Sequence, residues 1–146
     1  MRAMTLAPLW SAPQPIPLHA LAAVAALLIG LMQIILPKGT RRHVVQGWLW
    51  VALMAFVALS SFLIVARMMP LGRFGPIHAL SAFTLLSLAG GVLAIRRRRD
   101  VRLHGATMIY LFLGALVVAG AGAFMPDRIM HRVVAGPSLA PPPGGS

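Results

Sequence analysis

Residues 17–28 read PLHALAAVAALL and residues 76–87 read PIHALSAFTLLS, with proline, histidine, alanine and leucine in register 59 positions apart. Each stretch opens a long apolar run. A titratable ring, His19 in one copy and His78 in the other, therefore stands where the chain begins to resemble hydrocarbon. A weaker match follows each: RRHVVQGWLW from Arg41 pairs with VRLHGATMIY from Val101, and their histidines, His43 and His104, are 61 apart. The chain reads as two copies of one helical hairpin in the same orientation. Like-oriented repeats in a bilayer imply a pseudo-two-fold axis along the membrane normal.

Composition agrees with a membrane setting. Over 146 residues, hydrophobic residues make up 59% and charged residues 10%, and the mean hydropathy is +0.86. A water-facing surface needs more charge than this, so lipid must solvate much of the molecule. Cysteine is absent, which excludes disulfides, thiolate clusters and a cysteine nucleophile.

Four runs are long enough to cross a bilayer: residues 16–36, 44–66, 75–95 and 103–124. About 20 residues at ~1.5 Å per residue span the ~30 Å hydrocarbon layer. None of the four contains Lys, Arg, Asp or Glu. Short connections make consecutive helices antiparallel neighbours. The predicted fold class is all-α: a polytopic membrane protein, a four-helix bundle built from two parallel-repeat hairpins over residues 16–132. Residues 1–15 form an N-terminal segment, and residues 133–146 a Pro/Gly-rich tail expected to be disordered. The first 15 residues lack the pattern of a cleavable signal, so the first span reads as an uncleaved anchor.

The net charge of +11 is not a nucleic-acid signature. Eight of the 13 basic residues sit in two short connections: Lys38, Arg41 and Arg42, then Arg96, Arg97, Arg98, Arg99 and Arg102. Basic residues clustered at span ends are topology signals and partners for anionic lipid headgroups. The remaining five are Arg2, Arg67, Arg73, Arg128 and Arg132. The positive-inside rule then places the two basic connections in the cytoplasm and both termini outside, in the periplasm if the host is bacterial and the membrane is the inner one.

This topology puts His19 and His78 at the outer ends of helices 1 and 3, and His43 and His104 at the inner ends of helices 2 and 4. With neighbouring helices ~8–10 Å apart, diagonal partners are on the order of 11–14 Å apart. That gap is too wide for direct contact but suits a flat cofactor held by an imidazole from each side. The leading expectation is two b-type haems, one near each face, with His19/His78 and His43/His104 as axial ligands. Arg41 and Arg42 on the inner side, and Arg73 and Arg128 on the outer, would serve the propionates. One histidine per helix, alternating between sides, resembles the transmembrane di-haem cytochrome b family that moves electrons from ascorbate.

Two other readings stand beside it. The histidines are alternatively interfacial rings with a structural role, as in a non-catalytic membrane subunit or scaffold. Or they ligate copper or zinc directly, which would need imidazoles converging within about 2 Å of one ion. Asp127 and His131 could then join His19 and His78, with Met68 and Met69 nearby. Hydrolase chemistry has no support: no triad, HExxH motif or glycine-rich phosphate loop is present. Intramembrane carboxylates are absent too, so no relay built on Asp or Glu is expected.

The segments LPKGTRRHVVQGWLWVALMAFVALSSF (36–62), FGPIHALSAFTLL (74–86) and RRDVRLHGATMIYLFLGALVVAGAGAFMPDRIMH (98–131) carry a further likeness. They resemble a family of small bacterial predicted membrane proteins catalogued as a domain of unknown function, over roughly residues 17–132. That resemblance implies a four-helix integral membrane protein and supplies no activity.

Overall fold

A computed structural model describes residues 6–68, 76–123 and 133. A one-turn helix α1 (Ala7–Trp10) precedes four long helical spans. These are α2 (Ile16–Ile35), α3 (Arg41–Met68), α4 (Pro76–Arg97) and a composite fourth. The fourth runs through α5 (Val101–Tyr110), a π-helical segment (Leu111–Val118) and α6 (Ala119–Gly122). Among the described residues there is no strand. Each span is long and apolar enough to cross a membrane, with mean hydropathy between 1.7 and 2.2. The chain is thus an all-α, four-span membrane protein.

The ends of these helices follow from local chemistry. Proline in the first turn of α2 costs no hydrogen bond there, because the first N–H groups of a helix have no internal partner. The same helix stops before Pro37, with Leu36 already extended at ψ 155°, as the residue preceding proline disfavours the helical region. Gly39 takes φ +78°, a left-handed turn that glycine adopts without penalty. Thr40 Oγ1 then accepts from the His43 N–H at 3.2 Å, an N-cap for α3. Lys38 Nζ donates to the Ile34 carbonyl at the end of α2, where the helix dipole favours a cation.

At the second basic connection, Arg99 is left-handed (φ +53°), and Asp100 caps α5 by accepting from the Leu103 N–H at 2.9 Å. The caps at Thr40 and Asp100 start α3 and α5 two to three residues before the predicted bounds, because arginines are good helix formers in the aqueous margin.

The spans pack in sequence order, α2 on α3, α3 on α4 and α4 on α5, and the π segment closes the ring against α2 and α4. Their shared core is Ala26, Trp50, Met54, Leu88, Leu111, Phe112 and Leu116. Trp50 Nε1 donates to the Ala26 carbonyl at 3.0 Å, joining α3 to α2 in the buried interior. Gly30 makes room for this cluster. A Cβ there would lie 2.5 Å from Phe112 Cδ2 and 2.7 Å from Trp50 Nε1. The outward faces stay apolar: Leu86 and Tyr110 are 74% and 75% exposed, as lipid-facing residues should be.

The predicted fourth span is an unbroken α-helix, whereas the structure widens it at Leu111–Val118. Its run LFLGALVV is apolar at every position, so no polar face records the change of helical period. The widened turns present Leu111, Phe112 and Leu116 to the core.

Candidate functional site

Two polar layers lie at opposite ends of the bundle, separated by the packed core. The first is where α2 and α4 begin and α3 ends. His19 on α2 places Nδ1 2.8 Å from Ser60 Oγ on α3. Ser60 is buried, and its hydroxyl also lies 2.7 Å from the Phe56 carbonyl and 3.1 Å from the Val57 carbonyl. Carbonyls only accept, so the single hydroxyl proton goes to the backbone, as serine in a helix commonly arranges. With the proton so placed, Ser60 Oγ is an acceptor for a His19 Nδ1–H, and the Val57 backbone is a further hydrogen-bond partner of the His19 ring. In that neutral tautomer Nε2 is the unprotonated nitrogen. His78 on α4 packs its ring against Phe62 of α3, with centroids 5.6 Å apart. His19 and His78 thus approach the same helix, α3, at positions two residues apart.

The second layer is at the basic end, where α2 and α4 stop and α3 and α5 begin. His104 Nδ1 lies 2.9 Å from the Gly91 carbonyl of α4. A carbonyl acceptor again fixes the proton on Nδ1 and leaves Nε2 open. Gly91 permits this approach: a Cβ there would strike Met108 Cε and lie 3.1 Å from Thr107 Cγ2. His43 is close enough to His104 for the two rings to interact electrostatically. Its carbonyl accepts from Gln33 Nε2 at 2.9 Å, but its own Nδ1 is buried without a partner. Gln33 Oε1 and Gln46 Oε1 are buried and unpartnered beside it. An unmade buried hydrogen bond costs ~1–3 kcal/mol, so three such atoms near one histidine mark a place where the fold leaves acceptor or ligating capacity unused.

A repeat shows up in this layer. Gly91 precedes His104 by 13 residues, and Gly30 stands at the same distance before His43. Beyond the histidines the correspondence continues: Trp50 and Leu111, each two turns on, are both buried. At the opposite end, Ala22 and Ser81, each three residues after its histidine, are buried too. The hairpins differ at the buried amides: by the 59-residue register of α2 and α4 Gln33 corresponds to Val92, and by the 61-residue register of α3 and α5 Gln46 corresponds to Thr107, so the orphaned amides belong to one half only.

Among the four predicted ligands, His43 and His104 are brought within electrostatic range and His19 and His78 flank one helix. All four are half-buried. Arg41 and Arg42 are exposed and line, with Met32, Leu36, Val45 and Gln46, an open cleft of about 750 Å³ between α2 and α3. Arg73, Arg128, Asp127, Met69, His131 and the tail from residue 134 lie outside the described residues. Among the described residues no three metal-binding side chains converge.

The sequence reading does not single out Gly91 or Gln46; it puts Gly30 and Gln33 on the small or polar face that begins at His19, and it expects Ser60 and Gln33 to be satisfied by interhelical hydrogen bonds or by back-bonding to the preceding turn. The 13-residue glycine-to-histidine spacing, present in both hairpins, is the signal that finds the glycines. Nothing in the order of residues marks Ser60 as the anchor of His19, because that pairing depends on how α2 lies against α3.

Comparison with curated proteins and with solved structures finds no match. A family model described as "Predicted membrane protein (DUF2306)" matches residues 16–137, taking in all four spans and both histidine layers. The chain belongs to this family of membrane proteins.

Proposed function

We propose that the protein is a membrane electron carrier binding two b-type haems, one held by His19 and His78 and the other by His43 and His104. One observation carries the reading. In each layer one imidazole, His19 or His104, is held through an Nδ1–H bond by a neighbouring helix, leaving Nε2 with its lone pair. Fixing the tautomer and the ring plane through the far nitrogen is what an axial ligand needs. Haem iron so ligated takes up and releases one electron at a time. His43 would complete the inner pair, with its Nδ1 buried and without a hydrogen-bond partner. Between the layers, Trp50, Met54 and Phe112 fill the interior and exclude water, so each group would enter from its own end of the bundle by spreading the helices there.

The closed core also favours a second reading, in which the histidines are structural ties. His19–Ser60 joins α2 to α3, and His104–Gly91 joins α5 to α4, one bond in each hairpin. Reduced-minus-oxidised absorption spectra of the detergent-purified protein, expressed with ample haem, separate the two. The carrier reading expects Soret and alpha bands, with one component lost in His78→Ala and the other in His104→Ala. A featureless spectrum in a folded protein leaves only the ties.

A further inference from the structure

The cleft between α2 and α3 at the basic end has two kinds of wall. Arg41 and Arg42 form one, and Met32, Leu36 and Val45 form the other, with the Gln46 amide between them. Among the described residues the two arginines have no counter-charge. Asp100 is the single carboxylate among the described residues, and it is committed to the cap of α5. Lys38, beside the cleft in sequence, is tied to the Ile34 carbonyl. No described carboxylate is left for the two arginines, so an external anion suits them, and the apolar wall suits a ligand that also carries hydrocarbon.

We infer that this cleft is a binding site for one anionic phospholipid, with its phosphodiester on the Arg41 and Arg42 guanidiniums and an acyl chain along Met32, Leu36 and Val45. Guanidinium matches the phosphate oxygens through paired N–H groups. Basic pockets between spans are suited to acidic headgroups in a way that an isolated surface charge is not. The site differs in kind from the run Arg96–Arg99. There Arg96 lies over the Trp48 ring at 5.8 Å. None of the four histidines lines the cleft, but the inference gives Arg41 and Arg42 to a lipid phosphate instead of to haem propionates.

Native mass spectrometry of the full chain, released from detergent after equilibration with phosphatidylglycerol or phosphatidylcholine, tests it. The expected result is one phosphatidylglycerol retained per chain, with a preference of about tenfold over phosphatidylcholine. The double variant Arg41→Gln/Arg42→Gln loses that preference, while Arg97→Gln/Arg98→Gln keeps it. Thermal unfolding shows whether each variant is folded. Should Arg41→Gln itself prevent folding, Met32→Asn, which leaves every charge in place, is expected to weaken retention several-fold. Equal loss in both double variants would mean diffuse surface charge and would overturn the site. So would a preference that survives in Arg41→Gln/Arg42→Gln. Displacement of the lipid by glycerol phosphate at the same concentration would show that the apolar wall takes no part, and would overturn the lipid assignment.

Discussion

Ser60 has one hydroxyl proton, and the structure gives that proton two backbone carbonyls to choose from. The consequence reaches another helix, because it fixes which nitrogen of His19 is protonated. The prediction at this scale is that Ser60→Ala weakens haem at the His19/His78 end by about 10–100-fold, the usual cost of losing a partner behind a ligand. Ser61→Ala should change nothing, since that hydroxyl bonds only its own helix at Val57 O, 2.9 Å away. Haem titration followed in the Soret band measures both. The sequence marks the four histidines through the repeat, but not their partners. Ser60, 41 residues from His19, enters only when two helices are laid side by side.

At the scale of an element, α2 and α4 each carry a glycine where a neighbour presses close. Gly30→Ala should destabilise the protein by ~1–3 kcal/mol, the cost of overpacking a filled core, because the new methyl meets Phe112 and Trp50. Gly90→Ala should be neutral or slightly stabilising, since nothing lies within 4 Å of its added Cβ and alanine favours the helix by ~1 kcal/mol. Thermal unfolding in detergent distinguishes the two. Trp50→Phe should cost ~1 kcal/mol for the lost bond to the Ala26 carbonyl. The helices themselves are legible as apolar runs between caps such as Thr40 and Asp100. The π segment is not, because a stretch that is apolar at every position has no periodicity to read.

For the whole molecule, the two-hairpin repeat is read from PLHAL and PIHAL and the four spans from the length of the runs; the structure has the four spans, and the family is one of membrane proteins. Sidedness rests on the eight basic residues of two connections. Because the chain has no cysteine, Val101→Cys, at an exposed position beside the second basic connection, supplies a unique thiol at the basic end. An impermeant thiol reagent applied to intact cells should leave it unlabelled and should react once the membrane is opened; labelling in intact cells would invert the topology.

The pairing of histidines into two layers is the central claim, and it has a stoichiometry. Haem extracted from the purified, folded protein and quantified against chain concentration should give two per chain, falling to one in His78→Ala and one in His104→Ala. A value of zero in the wild-type protein, after expression with haem in excess, would contradict it.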